Sequence, residues 1–264
     1  MKKVLLFLMI TGLTTMAAFC LKAETRPVSG FTGIDASGVF EITVTKGNTE
    51  SLSIEADNEV MPYIRSEVQN GVLHLYIDKA VKNVRILKAF IVMKNLDYVA
   101  LSGACKLTSN DLFTPEKFKS DCSGACGMNV NLNTGQLSIE ANGASNIQMK
   151  AGVTGNVDLN VSGASKIQID LKASNVKLNS GGICSVELTG SATGVKMNVS
   201  GTSTIKAGDF TVKTATIESS GTSTVTVNVI DVLKVNSSGV ASVDYKGSPA
   251  IEINNSQAAK VRKI

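Results

Sequence analysis

Leu159-Asn160-Val161-Ser162-Gly163-Ala164-Ser165-Lys166-Ile167-Gln168-Ile169 carries small or apolar residues at every second position on both sides of a Ser-Gly-Ala triplet. Alternation with a period of two marks a strand with one buried face, and the central glycine marks a turn. The stretch therefore reads as two strands meeting at a glycine corner. The same register recurs at Gly103, Gly124, Gly143, Gly163, Gly182, Gly201, Gly221 and Gly239, in steps of 18 to 21 residues. That period belongs to a solenoid, in which no repeat can fold alone and each buries its apolar face against its neighbours.

Aligned on the glycine, the copies supply two aliphatic columns. Four residues before it stand Val99, Ile139, Leu159, Leu178, Met197, Ile217 and Val235, with Ser120 as the exception; four after it stand Leu107, Met128, Ile147, Ile167, Val186, Ile205, Val225 and Val243. Two after it lie Cys105, Cys126, Ser145, Ser165, Cys184, Ser203, Ser223 and Ala241, all small, as a tight inward corner requires. The expected fold is all-β, a right-handed parallel β-helix of about 19–20 residues per coil, since parallel crossovers are right-handed almost without exception. A propeller blade needs about twice this period.

Residues 1–23 read as a signal peptide: Lys2 and Lys3, an apolar run from Val4 to Ile10, then small residues. A lipid-modified Cys20 is the alternative, disfavoured by the bulk of Phe19. Residues 24–264 read as one domain, with an irregular β-rich part at 24–98, regular coils at 99–250 and a C-terminal end at 251–264. In the first part Gly38–Gly47 and Ser51–Glu55 alternate as strands, Asn70-Gly71 signals a hairpin, Arg85–Met93 is a further strand, and Asp57–Tyr63 holds one helical turn. This part is expected to be either an irregular cap or the opening coils of the same helix.

The opening Phe31-Thr32-Gly33-Ile34-Asp35-Ala36-Ser37-Gly38-Val39-Phe40-Glu41-Ile42, the turn Asn70-Gly71-Val72-Leu73 and the repeated SGA/SGT corners resemble the auto-transporter adhesin head domain, also called the head GIN domain. The resemblance spans about residues 29 to 250. It implies an exported bacterial protein with a single-stranded right-handed β-helix and an adhesive role. It implies no defined ligand and carries over no site residues.

Composition excludes other classes. The 264 residues are 43% hydrophobic, 18% charged and 5% aromatic, without tryptophan. The formal charge of +4 includes Lys2, Lys3 and Lys22, and without them 23 basic residues face 22 acidic ones. A nucleic-acid partner has no electrostatic support at that balance. After the leader no apolar run approaches the length of a membrane-crossing helix.

Candidate chemistry is sparse. Asp121, Glu140, Asn160, Asn179 and Asn198 lie three before successive glycines and form an outward column. Its carboxylate end suits Ca²⁺ or acid–base work, whereas its amides suit stacked hydrogen bonds without chemistry, which is the favoured reading. His74 faces the polar side of its strand with no catalytic context. Cys184 lies too far along the axis to reach the others, so at most one disulfide is expected, among Cys105, Cys122 and Cys126. No metal and no cofactor is expected.

The competing function is a polysaccharide-cleaving enzyme on a pectin-lyase-like β-helix. It is disfavoured because no arginine lies between Arg85 and Arg262 and few aromatics line the coils, although Lys177 and Lys196 stand available. Thr202-Ser203-Thr204 and Thr222-Ser223-Thr224 would order water, as ice-binding helices do, over only two coils. The expectation is an exported, non-enzymatic binding protein, in the periplasm, on the outer surface or secreted, presenting strand faces to envelope or host-surface macromolecules.

Overall fold

The computed structural model describes residues 21–81, 84–256 and 258–264. Most of the expected leader, and Cys20 with it, lies outside the described residues. Leu21–Ala23 begin the strand Leu21–Arg26, which pairs antiparallel with Ser51–Asp57.

The columns read from the sequence are the register of a parallel β-helix. In the ladder before the glycine, Ser120 pairs with Ile139, Ile139 with Leu159, Leu159 with Leu178, Leu178 with Met197, Met197 with Ile217 and Ile217 with Val235. In the ladder after it, Met128, Ile147, Ile167, Val186, Ile205, Val225 and Val243 pair in succession. All are buried. Changes in coil length are absorbed by bulges inside the strands that follow the glycine, past the core residues Leu107 and Ile205: Thr108 and Leu112 face Asn129 and Asn131, and Lys206 and Asp209 face Glu187 and Thr189, so the core ladders stay in step.

The corner explains its glycine. Gly163 has φ +77°, and a Cβ there would lie 2.4 Å from the Gly143 carbonyl oxygen. This left-handed turn aims each glycine carbonyl along the axis, where it accepts the N–H that follows the glycine of the next coil: Ala164 to Gly143 and Ile183 to Gly163, both at 2.7 Å. The small column two residues on is buried throughout, as expected.

The N-terminal part holds a ninth corner. Ser37-Gly38-Val39 stacks under Ser102-Gly103-Ala104, with Gly38 paired to Gly103 and Ala104 N–H donating to Gly38 O at 2.7 Å. The stretch Gly38–Gly47, expected as one strand, is therefore corrected to a corner followed by the strand Glu41–Lys46, and Gly33–Gly38 is the strand before it.

A second coil, Val72–Ile77 with Leu87–Met93, packs on the opposite side of this first one. Ser51–Asp57 and Ile64–Gln69 then add antiparallel strands and close the end, with Leu52, Ile54 and Ile64 buried. Both expectations for this part thus hold: it supplies opening coils and a cap. Asn70 and Gly71, at φ 51° and 76°, make the hairpin turn, and the helical turn is confined to Met61–Tyr63.

Candidate functional site

Alternation sends the residue three before each glycine outward, and parallel in-register pairing sets like residues about 4.8 Å apart. Asn160, Asn179 and Asn198 are such partners. Asn179 Nδ2 donates to Asn160 Oδ1 at 2.7 Å, and Asn198 Nδ2 to Asn179 Oδ1 at 2.8 Å. Asn198 Oδ1 is buried and receives no hydrogen bond. The next coil offers it Glu218, whose ionised carboxylate has no hydrogen to give and is instead bridged by Lys196 at 3.3 Å.

One residue before the corner glycines runs a second outward column, of Asn142, Ser162, Ser200, Ser220 and Ser238, interrupted between Ser162 and Ser200 by Gly181, which has no side chain. Ser162 Oγ donates to Asn142 Oδ1 at 2.5 Å, and Ser200 Oγ to Ser180 O at 3.2 Å. Between the two columns runs an open groove of about 570 Å³. Glu218 is the one titratable group among its lining residues. A depression of about 790 Å³ on another face mixes Asp97, Glu116 and Asp158 with Lys117 and Lys119.

Of the five candidate residues, the structure brings Asn160, Asn179 and Asn198 together in the groove. Asp121 and Glu140 are cross-coil partners on the same ladder but lie beyond the groove lining. Asp121 is tied down by Tyr98 Oη at 3.0 Å and Lys119 Nζ at 3.1 Å. Burial first, then the Asp121 carboxylate, pushes the Tyr98 phenol up to about 12. The serine column was missed as part of a site, although it stands in the repeated triplets themselves.

All four described cysteines are buried and free, so the disulfide expected at most once among Cys105, Cys122 and Cys126 is not formed. The corner shows what they do. Cys126 Sγ and Cys184 Sγ donate to the carbonyls of Ser123 and Gly181 at 2.8 and 3.0 Å. In other coils Ser145, Ser165 and Ser203 make the same bond at 2.9 Å. Burial raises the thiols of Cys105 and Cys122 to about 11 and about 12.

His74, expected as a solvated strand residue without catalytic context, stays partly exposed and faces Asp35 of the neighbouring coil at 3.1 Å. Lys177 stacks between Asp158 and Lys196. Among the described residues no three His, Cys, Asp or Glu side chains converge to hold a metal, and no helix is long and apolar enough to cross a membrane.

Solved structures share this architecture. A putative adhesin from Parabacteroides distasonis is 18% identical, with 94% of this chain and 98% of that one covered and a TM-score of 0.74. A putative adhesin from Parabacteroides merdae is 17% identical over 92% and 96%, at 0.71. A protein from Parabacteroides distasonis described as a putative lipid binding protein is 18% identical over 92% and 96%, at 0.66. At these identities the likeness is one of fold. Among curated proteins no relative matches the chain. The family model described as "Putative auto-transporter adhesin, head GIN domain" matches residues 30–182 and 153–249. The chain belongs to the auto-transporter adhesin head GIN domain family.

Proposed function

We propose that this chain is an exported, non-enzymatic binding protein whose groove between the asparagine and serine columns holds an extended polar polymer of the cell envelope or a host surface. The observation that carries this reading is the groove itself. It presents amides and hydroxyls at a repeat of about 4.8 Å over several coils, a pattern suited to a ligand that also repeats rather than to one small molecule.

Its chemistry argues against catalysis. Glycoside hydrolysis uses two carboxyl groups astride the bond, and here Glu218 stands alone and bridged to Lys196. In the nearest carboxylate pair on the ladder, Asp121 with Glu140, Asp121 Oδ2 is held by Tyr98 and Lys119 and its Oδ1 is buried, away from a bound chain. Membership of an adhesin family supports both the binding role and the export.

The test uses purified protein on immobilised mucin and on immobilised bacterial envelope polysaccharide. Retention without release of reducing ends or unsaturated products is expected. Product formation that disappears in Asp121→Asn or Glu140→Gln would replace this reading with an enzymatic one.

A further inference from the structure

Among the described residues, the last coil leaves the inward side of its core uncovered. Ala250–Asn255 extends the first ladder from Val232–Ser237, and Lys260–Lys263 extends the second from Ser242–Tyr245. Ile251 and Ile253 stand in register on Leu233 and Val235, yet they are 42% and 45% exposed where Leu233 and Val235 are 0% and 3%. Among the described residues neither terminal strand has a partner on its far side. Two strand edges and two aliphatic side chains thus lie uncovered at one end, a template for pairing with another chain.

The charges of this coil select the occupant. Glu252 on the first strand is bridged to Lys234 at 2.8 Å, and Arg262 on the second to Asp244 at 2.5 Å. The first strand therefore carries one acid, Glu252, and the second carries Lys260, Arg262 and Lys263. An axis that paired like strands would set these cations against themselves. A two-fold axis through the corner instead lays each strand antiparallel on the other strand of a second copy. In the register that keeps inward residues opposite inward residues, Ile253 faces Val261 of the partner subunit and Glu252 faces Arg262 of the partner subunit.

We propose that two copies of this chain join end to end through their C-terminal coils in this arrangement. Each side of the junction then carries Lys234, Glu252, and Arg262 and Asp244 of the partner subunit, in alternating sign. Ile251, Ile253 and Val261 are covered, and the sheets continue across the axis. The dimer presents two grooves on one rod, so a polymer that spans both is held by effective concentration as well as by contact.

The test is solution mass by light scattering and sedimentation on wild type, Glu252→Arg, Arg262→Glu, and an equimolar mixture of the two variants. Wild type is expected to dimerise. Each variant alone sets like charges together twice and should self-associate at least about tenfold more weakly. The mixture restores an opposite-charge pair at both contacts and should recover the dimer as a heterodimer, which a merely misfolded variant would not do. A monomeric wild type overturns the proposal. So do variants that dimerise as well as wild type, or a mixture that stays monomeric.

Discussion

Gly30 and Gly163 have nearly the same backbone, φ +75° and +77°, but opposite surroundings. A Cβ on Gly30 would meet nothing within 4 Å, whereas on Gly163 it would meet the Gly143 oxygen at 2.4 Å and nitrogen at 2.9 Å. The substitutions Gly30→Ala and Gly163→Ala therefore share the cost of a left-handed L-residue, about 1–2 kcal/mol. Only the second crowds the stack. Relief to ordinary contact needs a shift of about 1 Å, which would stretch the Ala164 N–H bond to Gly143 O from 2.7 Å beyond hydrogen-bonding range. Breaking a buried bond of this kind adds about 1–3 kcal/mol. Gly163→Ala should thus lose about 2–5 kcal/mol in total. Urea midpoints and slopes for both variants, read by circular dichroism, measure the difference. Equal losses would refute the stacked-corner explanation and leave only the φ requirement.

Ser120, fully buried between Val99 and Ile139, has a hydroxyl with no partner; Ser120→Val should stabilise by about 1–2 kcal/mol in the same urea assay, and a loss would mean that the column is already filled there. Leu159→Asp puts an unpaired charge into the ladder and should cost more than about 4 kcal/mol, while Asn160→Ser, facing outward, should stay within about 1 kcal/mol; similar melting points for the two would contradict the register. At pH 8 only about a thousandth of the Cys105 thiol is ionised if it titrates at about 11. Because all four thiols are buried, alkylation of native protein should leave them intact and label all four after denaturation, and a protected pair in denatured, unreduced protein would reveal a disulfide.

Much of this was legible because a solenoid writes its register into the chain. Leu159, Leu178 and Met197 sit at one offset from successive glycines, so sequence alignment and spatial stacking coincide. The corner at Gly38 escaped because its neighbour in the stack is far along the chain: Ser51–Met93 builds the cap and another coil before the backbone returns at Tyr98–Gly103. No period survives such an excursion. The asparagine column was visible, and the serine column two residues on shares its face by the same alternation, but the depth of the groove between them depends on how the corner turns the chain after Ser162 and Ser200. The His74–Asp35 pair was hidden in the same way, since Asp35 and His74 are brought together by stacking across 39 residues of sequence.

A working surface at the groove can be separated from the other outward faces by one pair of substitutions. Asn179→Arg places a long cation in the middle of the groove, whereas Gln168→Arg places the same group outward on another face, where Gln168 meets Glu187 at 3.0 Å. Both variants should melt close to wild type. Retention on immobilised surface polymer should fall at least about tenfold for Asn179→Arg and stay within about twofold for Gln168→Arg. Equal retention of the two, or loss at Gln168→Arg alone, would contradict the assignment and move the binding surface elsewhere on the helix.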